Sequence, residues 1–171
     1  MNVVQVLINS VLTGSVYILI SIGLAMIYRI LKFANFAHAE MVTFGAYMAY
    51  VVNATLRENL VWGALVAFLA TGFLGVASDI LVFRQLRRRE SEAIPMMIAS
   101  IGLGMMIRHL IQIIWGPRVL FYNLERVNVY TFLGGKVTDI ELLTIASSLA
   151  MTIAIHFLLT KTKLGIAMRA A

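Results

Sequence analysis

Long apolar runs separated by short polar links dominate this sequence. The short links read "RILK", "TLREN" and "RQLRRRESE". The one long connection covers 116–140, and its length predicts an ordered cap with a small hairpin of its own. A transmembrane helix needs about 20 mostly apolar residues, whereas a membrane β-barrel shows alternating segments of about ten residues. The pattern predicts an all-α, polytopic transmembrane helical bundle with five spans, at 4–28, 36–54, 60–83, 94–115 and 141–160.

The composition points to the lipid bilayer as the main surroundings of the chain. Of its 171 residues, 61% are hydrophobic and 13% are charged, and the mean hydropathy is +0.90. Soluble proteins carry about 25% charged residues, so a soluble domain is excluded. The net charge of +6 lies mainly between apolar segments, which indicates topology signals and no nucleic-acid partner. The absence of cysteine excludes a disulfide framework.

The distribution of basic residues predicts the orientation in the membrane. Lys and Arg collect in cytoplasmic links of membrane proteins. If the link after the third span is cytoplasmic, nine basic residues lie inside and four outside. We therefore expect the N-terminus outside and the C-terminus inside. The inner set is Arg29, Lys32, Arg84, Arg87, Arg88, Arg89, Lys161, Lys163 and Arg169, and the outer set is Arg57, Arg118, Arg126 and Lys136.

Three spans carry ridges of small or polar residues at four-residue spacing. Such residues let helices approach closely, and their polar members hydrogen-bond across the contact or line a wet cavity. Packing seams are the commoner case, and the ridges predict a bundle without yet predicting transport. The members are Gln5, Asn9, Thr13, Tyr17 and Ser21 in the first span, Gly63, Ala67, Thr71, Gly75 and Asp79 in the third, and Ser100, Gly104, Arg108 and Gln112 in the fourth.

Two ridge residues, Asp79 and Arg108, are charges inside predicted spans. Arg108 falls in the outer half of its span, where an unpaired charge costs at least about 2.5 kcal/mol. It either extends to the outer surface or forms a salt bridge or lines a cavity, with Asp139 or Glu125 as acidic neighbours at that face. The sequence leaves both interpretations open.

The stretch "FANFAHAEMVTFGAYMAY" places polar side chains at the start of the second span. On a helix, one side carries Asn35, His38, Gly45 and further small residues and forms a groove that is polar at its cytoplasmic end, while Glu40 and Tyr47 lie on a second stripe. A helix with two specified faces is surrounded by protein or water rather than by lipid. These five residues are the candidate site, and His38 is either an interhelical hydrogen-bonding partner of an asparagine or a functional group.

Metal binding and catalysis find no support in the residue pattern. His38 and Glu40 are two positions apart and point in different directions on a helix, and no His-x-x-x-His pair is present. The sequence also contains no Ser/His/Asp arrangement at plausible depth, no glycine-rich phosphate loop and no paired carboxylates. We therefore predict no metal, no cofactor and no enzymatic activity.

The same stretch resembles the signature of the permease subunits of branched-chain amino acid ABC importers. The segments "DILVFRQLRRRESEAIPMMIASIGLGMMIRHLIQIIWG", "FLGGKVTDIELLTIA" and "TKTKLGIAMRAA" resemble later landmarks of that family in the same order, and the resemblance covers nearly all of 8–171. Ala39 departs from the usual glycine of the motif, and Gln85 stands where proline is common. Family members continue into a second set of spans, so 1–171 is expected to be a single, truncated permease domain.

The resemblance implies a multi-pass inner-membrane subunit that forms the translocation pathway for Leu, Ile or Val. The implied partners are a second permease subunit, two cytoplasmic ATPases that use the ATP, and a periplasmic or lipid-tethered substrate-binding protein. Asn35, His38 and Glu40 would shape the cytoplasmic part of the pathway, together with Gly45 and Tyr47. The segment carrying Lys161, Lys163, Gly165 and Arg169 would couple the permease to the ATPase.

Other functions remain open at the level of sequence. Urea and short amides are carried by permeases with a similar signature. A passive channel or a proton-coupled carrier would use Glu40, His38 and Arg108 as a proton relay, and it would transport without ATP. An intramembrane enzyme or an inactive remnant of a longer gene are further alternatives.

Overall fold

A computed structural model describes residues 3–89, 92–124, 127–132 and 134–162. Their secondary structure is mainly helical, with one small sheet. A π-helical turn at Val51–Thr55 continues the second helix, and another at Asp79–Phe83 joins the third helix to the fourth. The elements are α1 (Val3–Leu31), α2 (His38–Tyr50), α3 (Leu60–Ser78), α4 (Arg84–Arg88), α5 (Ala93–Trp115), β1 (Val129–Phe132), β2 (Gly135–Thr138) and α6 (Asp139–Lys161).

Four of the described helices are long and apolar enough to cross a membrane, and they confirm the predicted all-α polytopic fold. They correspond to four of the five predicted spans: Val3–Leu31, Leu60–Arg88, Ala93–Trp115 and Asp139–Lys161. The predicted span at 36–54 coincides with α2 and its π-helical turn, which are not among these four. The orientation stays a prediction.

The described residues form two compact units. One lies within Met1–Ile30 and Leu124–Ala171, and the other is Leu31–Asn123. The predicted single permease domain over 1–171 stays a prediction. Each unit is built from helices whose exposed faces are largely apolar, as expected for surfaces that face lipid or other membrane subunits.

The first unit contains the small hairpin that the sequence predicts within 116–140. β1 and β2 pair in antiparallel register, with Tyr130 opposite Val137. Gln5 of α1 binds the backbone of Lys136 twice: its Nε2 donates to the Lys136 carbonyl at 3.1 Å, and its Oε1 accepts from the Lys136 N–H at 2.7 Å. The amide of Gln5 thus ties the start of α1 to the edge of β2.

The same unit begins α6 with a complete capping box. The Thr138 hydroxyl accepts from the Glu141 N–H at 3.2 Å, and the Glu141 carboxylate accepts from the Thr138 N–H at 2.7 Å. Each bond satisfies an amide that has no partner within the helix. This cap fixes the point at which the hairpin ends and the apolar helix starts.

The polar ridge of the first span lies mostly on the exposed side of α1 within this unit. Gln5 donates to the Asn9 side chain at 3.0 Å, and Asn9, Thr13, Tyr17 and Ser21 are all exposed. Lipid offers no hydrogen bonds to such groups. This face of α1 is therefore suited to contact protein or water.

In the second unit, small residues bring α2 and α3 into close contact. A Cβ at Gly63 would lie 3.0 Å from the Ala49 carbonyl oxygen, and a Cβ at Gly45 would lie 2.8 Å from Thr71 Oγ1. These distances leave no room for a larger side chain without movement of a neighbour. The ridge predicted for the third span is, at these positions, a helix-packing seam.

An apolar cluster joins the segment before α2 to α3, its π-helical turn and α5. The rings of Phe33 and Phe83 lie 5.3 Å apart at their centroids, and both side chains are almost fully buried. This arrangement holds the chain that leads into α2 between two membrane-crossing helices. The buried members of the cluster are Phe33, Ala37, Met41, Phe83, Met96, Leu103, Ile107 and Ile111.

Candidate functional site

A non-helical segment at 32–37 separates α1 from α2. Lys32 follows α1 in the left-handed conformation, with φ of 59°, and α2 begins at His38. Alternate residues then turn inward: Phe33, Asn35 and Ala37 are 1%, 4% and 0% exposed. The segment consists of bends and a final turn, in which the His38 N–H donates to the Asn35 carbonyl at 3.2 Å.

The segment brings the start of α2 to the middle of α5. Gly104 is the central residue of Ala93–Trp115, with eleven residues before it and eleven after it. A Cβ on Gly104 would lie 3.3 Å from the Cα of Ala37, the residue immediately before α2. At a rise of about 1.5 Å per residue, this point is about 17 Å from either end of α5. The start of α2 lies at this height, and not at the cytoplasmic end that the sequence predicts.

Side chains accept hydrogen bonds from backbone N–H groups of this segment that have no partner in a helix. The Phe36 N–H donates to the hydroxyl of Ser100 at 3.0 Å, and that hydroxyl donates to the Met97 carbonyl at 2.7 Å. The Ala37 N–H donates to the Asn35 carboxamide at 3.1 Å. Non-helical backbone at membrane depth is tolerated only where protein or water supplies such partners. Asn35 therefore shapes the entry into α2, and its carboxamide oxygen binds the chain two residues ahead.

Glu40 and Arg108 form an ion pair at the first turn of α2. Arg108 Nη2 lies 3.1 Å from Glu40 Oε1, and the two side chains are 62% and 16% exposed, respectively. Glu40 also lies in the first turn of α2, where the helix dipole favours a negative charge. The pair places a largely buried carboxylate and an exposed guanidinium beside the central part of α5.

This pair corrects the sequence-based assignment of a partner to Arg108. Asp139 instead accepts from the backbone and side chain of Asn128, at 3.3 and 3.2 Å, and Glu125 lies outside the described residues. The sequence treated 36–54 as a full span with Glu40 at its cytoplasmic end. Because α2 starts half-way along α5, Glu40 is close enough to reach Arg108.

One ridge of α5 thus makes three contacts with the start of α2. Ser100 binds the Phe36 amide, Gly104 lies against Ala37, and Arg108 pairs with Glu40. The four-residue spacing predicted the ridge, but the partners depend on the tertiary structure. The resulting constellation combines a helix start beside the middle of α5 with one pair of opposite charges.

The other predicted residues of α2 lie on different sides of the helix. His38 is its first residue and is half-buried. Gly45 faces Thr71 of α3, so this part of the predicted groove is a helix contact. The Tyr47 ring lies 5.2 Å from that of Trp115. Their assignment to a translocation pathway stays a prediction.

Asp79, the second predicted intramembrane charge, forms an ion pair within the continuous helical rod Leu60–Arg88, which consists of α3, the π-helical turn and α4. Its carboxylate lies 2.7 Å from Arg87 Nη2, and both side chains are about 40% exposed. Asp79 is the first residue of the π-helical turn. Its charge is therefore compensated locally, two turns before the basic end of α4.

The predicted coupling segment lies mostly outside the described residues. Lys161 is the last residue of α6 and is exposed, whereas Lys163, Gly165 and Arg169 are not described. Within the described ranges, no group of three or more His, Asp or Glu residues could hold a metal ion.

Sequence reasoning missed the contribution of Tyr122. Its hydroxyl donates to the Ala46 carbonyl at 2.9 Å, and the next residue, Asn123, donates its N–H to the Asn53 side chain at 2.7 Å. Burial raises the pKa of Tyr122 above its ordinary value, so its hydroxyl stays a neutral donor. The long, irregular link was predicted to be ordered, but its contact with α2 could not be predicted from local pattern.

These features define a class. Several membrane-crossing helices together with a helix that starts at mid-membrane height, where polar and charged groups meet, are typical of membrane transporters. The chain belongs to the family described as branched-chain amino acid transport system, permease component, whose profile matches 6–171. This membership confirms the predicted family and the location as a multi-pass protein of the inner membrane.

Curated relatives carry the same description. The chain is 28% identical over 186 aligned positions to the high-affinity branched-chain amino acid transport system permease protein LivH of Salmonella typhimurium, covering 97% of this chain and 58% of that protein. It is 31% identical to BraD of Pseudomonas aeruginosa, a permease protein of the same description, over 64% of this chain and 38% of BraD. It is also 31% identical to LivH of Escherichia coli K12, over 67% of this chain and 39% of that protein. The chain thus spans little more than half of the length of the first of these relatives, and no solved structure gives a significant match.

Proposed function

We propose that this chain is a transmembrane permease subunit of an ABC importer for branched-chain amino acids, and that it forms part of the translocation pathway. The match to the permease family along 6–171 carries this proposal. The start of α2 beside the middle of α5 supports it, because transporters place substrate sites at helix ends near the middle of the bilayer.

The start of α2 offers suitable chemistry for a passing amino acid. The Ala37 and His38 N–H groups already donate to Asn35, at 3.1 and 3.2 Å. In this proposal the next first-turn amides, those of Ala39 and Glu40, face the substrate, as half-helix N-termini in transporters point at anionic substrate groups. Glu40 and Arg108 provide one charge of each sign at 3.1 Å separation. In this proposal Asn35, His38 and Glu40 line the pathway, and Gly45 and Tyr47 continue it along α2.

The energy source and the partners belong to other subunits in this proposal. A permease component requires a transport system, which we infer to contain a second permease, two cytoplasmic ATPases and a periplasmic or lipid-tethered binding protein. ATP is hydrolysed by the ATPases, so this chain is not an enzyme and needs no cofactor. Because the binding protein supplies affinity, loose contacts with substrate are sufficient in the permease.

Native mass spectrometry of the tagged chain, extracted gently from its own membranes, tests the proposal directly. We expect complexes that contain two ATPases and a second permease, and leucine-stimulated transport that depends on ATP when the complex is placed in liposomes. An oligomer without ATPases that transports without ATP would instead indicate a channel or carrier. Transport of urea but not of leucine by the ATPase-bound complex would identify an amide permease.

Charge reversal at Lys161 and Lys163 should weaken the association with the ATPases. Both residues lie in the predicted coupling segment, and charged contacts at an interface rim act through attraction that reversal converts to repulsion. We expect the ATPases to be recovered at no more than about one third of the wild-type ratio in native mass spectra at low salt, where such attraction is least screened.

The matched control reverses the charges of Arg57 and Lys136, two basic residues predicted to lie on the outer side. This variant changes the net charge equally and should retain the ATPases. Equal recovery from both double variants would remove the coupling role from the segment that follows α6.

A further inference from the structure

A cavity of about 340 Å³ lies at the predicted outer end of α2. Tyr47 and Tyr50 of α2 form one wall, and the irregular chain from Pro117 to Tyr122 forms the other. This second wall is fixed by two hydrogen bonds: the Tyr122 hydroxyl donates to the Ala46 carbonyl of α2 at 2.9 Å, and the Asn123 N–H donates to the Asn53 side chain, in the π-helical turn after α2, at 2.7 Å. The rings of Tyr50 and Tyr122 also meet edge to face, with centroids 6.3 Å apart. These hydrogen bonds and the ring contact therefore hold the two walls of the cavity in place.

The lining residues combine apolar and aromatic surface with a single charge. Val119 and Leu120 contribute aliphatic surface, the tyrosines contribute ring faces, and Arg118 is the only charged residue of the lining. The ion pairs within the described part of the chain are Glu40–Arg108 and Asp79–Arg87, so Arg118 has no carboxylate partner there. A guanidinium binds carboxylate with two parallel hydrogen bonds, and tyrosine rings attract cations.

We propose that this cavity is an entry site for a small aliphatic carboxylate, with Arg118 as the group that binds the carboxylate. Its volume is at the lower end of the range of small-molecule pockets, about 300–1,000 Å³, which suits a single free amino acid. The inference rests on the proposed function, because the transport system supplies such a molecule on this side. The tyrosine faces then receive the ammonium group, and the aliphatic side chain packs against Val119 and Leu120.

Trp115 provides an optical probe for this site. Its ring contacts Tyr47, which lines the cavity, and the chain contains only one other tryptophan, Trp62. In the full chain carrying Trp62→Phe, reconstituted in lipid nanodiscs, L-leucine should change the Trp115 fluorescence in a saturable manner. The Arg118→Gln variant should weaken the apparent affinity at least tenfold, because it removes the cation and keeps a polar side chain of similar length.

Two analogues and one control variant make the test specific. The compound 4-methylpentanoate lacks the ammonium group and should still bind in an Arg118-dependent manner, whereas L-leucinamide lacks the carboxylate and should bind no better to the parent than to Arg118→Gln. Arg57→Gln changes an exposed arginine outside the cavity and should titrate like the parent. Tyr122→Phe should also alter the fluorescence response, because it removes the hydroxyl that donates to the Ala46 carbonyl and holds the second wall in place.

Three results would overturn this proposal: no response to L-leucine, equal titrations of the parent and Arg118→Gln, or equal binding of L-leucinamide and L-leucine. These failures are distinguishable from failure of the importer. If native complexes retain the ATPases and transport leucine while Trp115 does not respond, the cavity is wrong and the importer stands. If the ATPases are absent, the importer is wrong whatever the nanodisc titration shows.

Discussion

Replacing Gly104 with leucine should abolish leucine uptake and destabilise the membrane-inserted chain. A Cβ at this position would already lie 3.3 Å from the Ala37 Cα and 3.5 Å from the Glu40 Cγ. Ala37 is fully buried backbone at the start of α2 and cannot rotate away as a side chain can. Overpacking of this kind typically costs about 1–3 kcal/mol and occasionally more, and here it would also displace Asn35 and Glu40.

Gly102→Leu is a matched control for this prediction. Gly102 lies on the same helix, two residues away, and a Cβ there would meet nothing within 4 Å. We expect this variant to insert, resist thermal aggregation in detergent and transport like the wild type. Uptake would be measured with labelled leucine in the assembled complex. Wild-type uptake by Gly104→Leu would show that the contact between α5 and the start of α2 is not needed for transport.

Removing either charge of the Glu40–Arg108 pair should reduce uptake strongly, and removing both should restore part of the lost stability. An unpaired charge at membrane depth costs at least about 2.5 kcal/mol, and the Glu40 carboxylate, whose side chain is only 16% exposed, would lose its partner if Arg108 alone were replaced. Arg108→Met and Glu40→Gln should therefore each lower the thermal midpoint more than the double variant does. His38→Ala should reduce uptake without this coupling.

A double-mutant cycle on the thermal midpoint in detergent measures the coupling between the two charges. The Asp79–Arg87 pair provides the comparison, because the Asp79 carboxylate is 40% exposed whereas the Glu40 side chain is 16% exposed. Such exposed pairs contribute roughly 0–1 kcal/mol, so Asp79→Asn should have little effect. Additive effects of the Glu40 and Arg108 substitutions would mean that the 3.1 Å contact contributes nothing to stability.

Much of the fold follows from local pattern in the sequence. Apolar runs of about twenty residues must form helices in lipid, because only a helix satisfies all of its own backbone groups within one segment. Four predicted spans therefore agree closely with α1, the α3–α4 rod, α5 and α6. The hairpin at β1 and β2 was also predicted, because the link at 116–140 is long enough to form ordered structure of its own.

The residues of the candidate site could be predicted from the sequence, but their contacts could not. The sequence identified Asn35, Glu40 and Arg108 as polar residues in apolar surroundings, and it identified the ridge of small residues in α5. It did not identify Glu40 as the partner of Arg108, because the relative heights of two helices are not encoded in the spacing along either one. Tyr122 was missed for the same reason, as its partner Ala46 is 76 positions away.

The sequence by itself determined a membrane bundle of this family, because hydrophobicity and helix periodicity act within single segments. The sequence also determined which polar residues within the apolar segments need protein or water as partners instead of lipid. Only the tertiary structure decided that α2 starts at the middle of α5, because that position depends on Phe33 packing against Phe83 and on Gly104 admitting the Ala37 backbone. Packing between segments thus set the height of the helix start, and this height brings Glu40 to Arg108.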